Sequence, residues 1–401
     1  MASSFTITDS AGSPVSVTVI KEIGRGAEGI AYEAMLGSER VLLKKILFSA
    51  DPVKADAAKY DLVKNIEMEI EIRTLLQSCT PASNIACFRG FVWHPELMAL
   101  IPLSFSSKGY TSFMYTGTGT GTSNDIYLIY DLIEGSELFY SIVNNTLTAE
   151  QMIRILTQLL TALQTLHAAG YTHRDIKPEN LMLTPTGQLK IIDFGGACKK
   201  PCVYDFKVTG TLSYSAPESI KRMKGFAESQ RENNSFPSDI FMAGMTFFTL
   251  VTGGLYTDVV NPGAEGNPRV TIDQIDMYSG RKEPRDLFVA AGMDKYYDLF
   301  LSMIRGNPAA RPTAYEALSE LNRIRTQVAG VKRRYEKESP PMLQRQETGT
   351  SGGYRQSKRS SRNKTKRRHH KKKDAGRTTR TISKTHRSRS HRSRSHRSKT
   401  R

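Results

Sequence analysis

His173-Arg174-Asp175-Ile176-Lys177-Pro178-Glu179-Asn180 packs an acid, a cation and an amide into eight residues. Thirteen residues after Asn180 stands Asp193-Phe194-Gly195, preceded by the apolar run Leu189-Lys190-Ile191-Ile192. Phosphoryl transfer calls on this inventory. One carboxylate orients the attacking hydroxyl and receives its proton. A second carboxylate and an amide oxygen hold Mg²⁺, and a cation offsets charge on the transferring group.

Upstream, Val15 to Ile23 alternates with β-branched residues and reads as a strand. It runs into Gly24-Arg-Gly26-Ala-Glu-Gly29-Ile-Ala31, a spacing that lets backbone close over phosphates because no Cβ intervenes. Alone, such a motif fits a plain hairpin equally well. Its weight comes from the downstream segment Val41-Leu42-Leu43-Lys44-Lys45-Ile46, a strand that presents Lys44 on one face and Lys45 on the other.

Together these segments resemble the eukaryotic-type Ser/Thr protein kinases, from about Ile20 to about Arg325. The resemblance implies an α+β, bilobal protein-kinase-like fold: a small β-rich lobe with one helix and a larger, mainly helical lobe. It implies ATP and Mg²⁺ as cofactors and protein Ser/Thr hydroxyls as substrates. Asp175 is then the catalytic carboxylate, Lys177 meets the γ-phosphate, and Asn180 and Asp193 hold the metal. Gly24, Gly26, Gly29, Ala31, Leu42, Lys44, Tyr130, Asp131, Ile133, Glu137 and Met182 border the nucleotide. Tyr130 guards the back of the pocket, Asp131 to Ile133 form the hinge, and Glu137 lies near the ribose or a basic substrate residue. Ala31 is smaller and Leu42 larger than the family's usual residues, which reads as a volume-conserving exchange.

The stretch 51–78 has helical periodicity. By resemblance one of its glutamates pairs with Lys44. Glu67, Glu69 and Glu71 compete, and Glu71 fits best because Leu75 follows four residues later on the same face. Residues 148–168 form an amphipathic helix with Met152, Leu156, Leu159, Leu163 and Leu166 on one stripe. Residues 104–125, rich in Ser, Gly and Thr, read as a flexible insertion.

Residues 193–218 end in Ala216-Pro217-Glu218 and match the family's activation segment, with Thr209 and Thr211 in a G-T-x-x-Y pattern. Arg174 is the arginine that usually binds a phosphate there. The usual phosphorylated position falls on Lys207, leaving Tyr204, Thr209 or the fixed anion Asp205. Asp239 is placed to brace the catalytic loop, and Arg311 to pair with Glu218. His173 and Phe194 read as packing residues.

The chain carries 57 Lys+Arg and 39 Asp+Glu over 401 residues, but the excess is not spread evenly. Residues 331–401 hold 26 basic and 4 acidic side chains, whereas residues 1–330 hold 31 and 35. The organisation expected is an extension over 1–17, either a frayed end or a first hairpin strand, a kinase domain over 18–330 divided near 132–133, and a disordered basic Arg/Ser-rich tail over 331–401. That tail, with His-Arg-Ser-Arg-Ser at 386 and 391, lacks the residues for a core and suits nucleic acid or another polyanion. The four cysteines show no disulfide or zinc spacing and read as reduced thiols, with a redox or metal pair at Cys198 and Cys202 as the alternative. With no leader or membrane span in the sequence, a cytoplasmic or nuclear protein is expected. Two other classes remain: an inert scaffold with the kinase fold, and a nucleic-acid-binding protein in which that fold is secondary.

Overall fold

The computed structural model describes residues 4–8, 13–26, 29–47, 62, 65–72, 80, 82–93, 112–115, 126–200, 213–223, 236–255 and 284–338. The first part is a closed barrel of seven strands: β1 (Ser4–Thr8), β2 (Pro14–Arg25), β3 (Gly29–Leu36), β4 (Glu39–Ile46), β5 (Phe88–Trp93), β6 (Ser112–Tyr115) and β7 (Tyr127–Asp131). The order is β1-β2-β3-β4-β7-β5-β6, and β6 pairs back onto β1. Alternation along the strands sends Phe5, Ile7, Val17, Ala34, Val41, Leu43, Val92, Tyr127 and Ile129 into one buried cluster.

Residues 1–17 supply the first hairpin strand, one of the two readings their sequence allowed: β1 pairs with β2 from Ser4↔Thr18 to Thr8↔Pro14. The Ser/Gly/Thr stretch at 104–125 contains β6, which pairs in parallel with β5 and closes the barrel. Backbone pairing needs no special side chain, so four residues inside a low-complexity run gave little signal.

Helix α1 covers 65–72. Its residues serve two cores. Ile66 and Ile70 pack with Phe88, Phe91, Ile126 and Leu128 of the barrel. Ile72 joins the large cluster of the second part, with Met68 packed against it.

That second part is mainly helical: α2 (Leu138–Val143), α3 (Ala149–Ala168), α4 (Pro217–Met223), α5 (Phe236–Thr252), α6 (Arg285–Ala290), α7 (Tyr297–Met303) and α8 (Ala314–Glu338). Thr148 caps α3: its hydroxyl accepts from Gln151 N–H at 3.3 Å, and Gln151 Oε1 accepts from Thr148 N–H at 2.8 Å. On α3, Leu156, Leu159, Leu163 and Leu166 are buried as the stripe required, while Met152 is half-buried. Helix α5 is buried almost all round, and an added Cβ at Gly244 would come within 2.7 Å of Ile304 Cγ2. Between the helices lie short strands: β8 (Ser136–Glu137) with β10 (Leu181–Leu183) and β11 (Leu189–Ile191), and β9 (Tyr171–Thr172) with β12 (Cys198–Lys199).

Helix α8 runs to Glu338, past the boundary expected at 331. Lys, Arg and Glu are good helix formers, so the loss of apolar periodicity there does not stop the helix. The tail beyond it lies outside the described residues. Cys87 and Cys198 each stand in a disulfide bond, where reduced thiols were expected, and no described cysteine is free. Pairing depends on proximity in space, which spacing does not report. Among the described residues, no helix is long and apolar enough to cross a membrane.

Candidate active site

The segment between β9 and β10 is fixed by one buried carboxylate. Asp239, on α5 and fully buried, accepts from Arg174 N–H at 2.8 Å through Oδ1. Its Oδ2 accepts from His173 N–H at 2.8 Å and the Thr172 hydroxyl at 2.9 Å, and faces His167 Nε2 at 2.9 Å. Burial pushes this carboxyl up, but His167 and the other donors outweigh it and hold it below the usual range. Arg174 thereby takes a left-handed backbone, φ +69°, unusual for a non-glycine residue. Its guanidinium Nε donates to the Gly196 carbonyl.

Asp175 follows at once. Its Oδ2 accepts from Lys177 Nζ at 2.9 Å and from Asn180 Nδ2 at 2.8 Å. Asn180 Nδ2 also donates to the Asp175 carbonyl at 2.8 Å, so the amide oxygen is turned away from Asp175. His173 is fully buried, edge-on to Phe194 with ring centroids 4.8 Å apart. Burial lowers its pKa, against the pull of Asp239, Asp175 and Asp193.

Asp193 is also left-handed, φ +62°. Its Oδ1 accepts from Gly195 N–H at 3.3 Å and lies 3.9 Å from Lys44 Nζ. Burial raises this carboxyl, but Lys44, the Gly195 amide, His173 and Lys177 together hold it below its ordinary range. Lys177 therefore links the two carboxylates: it touches Asp175 and acts on Asp193 through its charge. Carboxylate Asp193 and the amide oxygen of Asn180 are hard oxygen donors that fit a divalent cation. Among the described residues, no group of three or more His, Cys, Asp or Glu side chains is gathered to hold a metal by itself.

Lys44 lies opposite Ala31 on β3 and Leu128 on β7. Leu42 lies opposite Glu33 and Tyr130. Ala31 and Leu42 are both half-buried on the Lys44 face, but they are not direct cross-strand partners. At the start of β3, a Cβ on Gly29 would come within 2.6 Å of the Lys45 carbonyl. Only glycine permits that approach, while a Cβ on Gly26 would meet nothing within 4 Å. Gly24 lies opposite Ala31.

Helix α1 turns its glutamates differently from the sequence reading. Glu71 does not reach Lys44; its Oε2 accepts from the Tyr171 hydroxyl and lies 3.3 Å from Lys199 Nζ. Glu69 is the buried one, only 4 % exposed, and accepts from the Tyr130 hydroxyl at 2.9 Å and from the Phe194 N–H. Four-residue spacing to Leu75 pointed at Glu71, but burial follows the side that carries Ile66 and Ile70.

At the junction of the two parts, Asp131 N–H donates to the Cys87 carbonyl at 3.0 Å, and its carboxylate pairs with Arg89. Ile133 lines a cleft of about 490 Å³ together with Asp131, Thr184 and Lys190. A Cβ at Gly135 would stand 2.3 Å from the Leu183 carbonyl, which holds the junction against β10. Met182 pairs with Glu137 and with Lys190. Burial first, then Glu179, raises the Glu137 carboxyl. Glu179 Oε2 is shielded and has no hydrogen-bond partner, a feature that sequence reasoning passed over. Farther out, Arg311 grips Glu218 with two bonds, Nη1–Oε1 at 2.6 Å and Nη2–Oε2 at 2.8 Å. Thr209 and Thr211 lie outside the described residues.

A family model for the protein kinase domain matches residues 17–321. The chain belongs to the protein kinase family. It is 30 % identical over 245 residues to the probable serine/threonine-protein kinase MARK-A of Dictyostelium discoideum, covering 60 % of this chain and 19 % of that protein. It is 28 % identical over 198 residues to the probable serine/threonine-protein kinase FMP48 of Saccharomyces cerevisiae, covering 47 % and 48 %. Over 138 residues it is 34 % identical to CBL-interacting serine/threonine-protein kinase 5 of Arabidopsis thaliana, covering 33 % and 29 %. The chain thus spans less than half the length of each of these relatives.

Proposed function

We propose that this chain is a serine/threonine protein kinase that transfers the γ-phosphate of ATP with the help of Mg²⁺. The observation that carries the reading is Asp175, whose Oδ2 is held by both Lys177 and Asn180. A carboxylate so fixed is built for alignment, and alignment with charge balance is most of what this reaction asks of a protein. Asp175 orients the hydroxyl and takes its proton. Lys177 neutralises charge beside it, and Lys44 does so beside Asp193. Asn180 and Asp193 hold the cation, which when bound offsets negative charge on the phosphates. The test is phosphate transfer from ATP to a Ser/Thr peptide library by the full chain and by Asp175→Asn. An inert scaffold would show no transfer to lose.

The substrate class proposed is basic. The shielded, unpartnered Glu179 Oε2 beside Glu137 supports a cationic side chain of the substrate there. The chain's own Arg-Ser repeats after residue 386 have the matching charge. The tail is proposed to tether the enzyme to nucleic acid or a similar polyanion, with steep salt dependence. Removing residues 339–401 should abolish that binding and leave transfer to peptides intact. Action in the cytoplasm or nucleus is part of the same proposal.

A further inference from the structure

Helix α1 carries Glu69 toward Tyr130 and the Phe194 amide, so the placement of this helix governs the site. Its apolar residues alone do not settle that placement, because they are shared between two cores. Glu71 supplies a polar anchor. Its Oε2 accepts from the hydroxyl of Tyr171, a fully buried side chain on β9, and lies 3.3 Å from Lys199 Nζ on β12.

Tyr171 and Lys199 are themselves direct partners in the β9–β12 pair. Lys199 Nζ stands 5.5 Å from the Tyr171 ring. The ribbon is extended by Lys200 N–H donating to the Gly170 carbonyl at 2.9 Å. The same ribbon leads into Thr172 and His173, which Asp239 holds. One carboxylate of α1 therefore grips the strand before the catalytic loop and the strand after Asp193-Phe194-Gly195 at once. Lys199 is half-exposed, so its ion pair alone is a modest contributor. The buried Tyr171 hydroxyl needs its acceptor and carries the larger part.

We propose that Glu71 is a positioning residue, coupling α1 to the β9–β12 ribbon through Tyr171 and Lys199, so that a carboxylate fixed in the chain sets the helix without any added phosphate. The inference rests on the kinase reading for its consequence, though not for its structural content. The experiment uses the full chain, phosphatase-treated, with Tyr171→Phe, Glu71→Gln and the exchange pair Glu71→Lys/Lys199→Glu. Two quantities are read: hydrogen exchange of the peptide covering 65–72, and kcat and KM for peptide phosphorylation.

Tyr171→Phe and Glu71→Gln should each speed exchange at 65–72 at least fivefold and lower kcat at least fivefold, with peptide KM within twofold. The exchange pair should recover a substantial part of both. Treated parent should retain its activity. Exchange within twofold of parent in both single variants overturns the proposal, as does faster exchange with kcat unchanged. So does loss of parental activity on phosphatase treatment. If the untreated parent transfers no phosphate at all, the kinase reading fails, and the exchange data still decide whether Glu71 holds the helix. Lys199→Met, at a half-exposed position, guards against misfolding of the tyrosine variant and should give the same signs at smaller size.

Discussion

The Tyr130 hydroxyl donates to Glu69 Oε1 at 2.9 Å, joining the last barrel strand to a carboxyl on α1 that is almost wholly buried. Burial pushes that carboxyl up to about 7 and Asp193 adds to the effect, against the opposing pull of Tyr130, Lys44 and the Phe194 amide. The folded state therefore binds this proton more tightly than the unfolded chain, whose ordinary value is 4.5. Stability should fall as pH rises from near 4.5 to near 7 and level off above it. At about 1.4 kcal/mol per unit, the contribution lost is roughly 3 kcal/mol. Glu69→Gln keeps an acceptor for Tyr130 and removes the titration. Its gain over parent in urea denaturation should grow from almost none at pH 4.5 to its full value by pH 8.

Arg311 is fully buried at its side chain and pairs with Glu218 in a two-bond fork, with Phe241 beneath the guanidinium at 4.9 Å. Arg311→Met should cost about 3–5 kcal/mol, because Glu218 then keeps the Ser238 hydroxyl but loses its countercharge and remains a buried anion. Pairing it with Glu218→Gln should recover part of that loss. Chemical denaturation of the two variants measures both values.

Asp175→Asn should lower phosphate transfer by about 10²–10⁴-fold, the range for loss of a positioned acid or base. The unfolding midpoint should scarcely move, since the neutral amide can still meet Lys177 or Asn180. Stopped-time incorporation into peptide checks the first statement, and a thermal scan the second.

Glu179→Gln should change which peptides are used rather than how fast the best hydroxyl reacts. Transfer to arginine-rich peptides should fall about tenfold in kcat/KM, an energy near 1.4 kcal/mol, while neutral peptides hold steady. An array of peptides differing only in arginine position would read it.

At the cap of α3, Thr148→Ala should destabilise by about 1 kcal/mol. The Gln151 amide would then lose the hydroxyl it donates to at 3.3 Å. Far-ultraviolet melting would show it.

Much of this architecture was legible in the amino acids because local chemistry and tertiary role coincide there. The eight residues from His173 to Asn180 bring Asp175, Lys177 and Asn180 into contact through their own short loop. The stripe on α3 and the alternation of β4, which turns Val41 and Leu43 inward, behave likewise. The features that stayed hidden depend on distant partners. Glu69 and Glu71 are two residues apart on one helix, and only the positions of Tyr130, Phe194 and Tyr171 tell them apart. Strand β6 is four residues inside a Ser/Gly/Thr run, and its partners β5 and β1 are met only in space. Helix α8 passes 331 because charged residues lack an apolar rhythm yet favour helix.

Closure of the barrel by a five-residue strand at the chain's beginning bears on how the protein is cut. A shortened version starting at residue 17, where the family match begins, would shed β1. It would strip β2 and β6 of a shared neighbour in one stroke, leaving two rows of amides and carbonyls able to recruit other molecules. Such a truncation should clump where the longer chain stays dispersed.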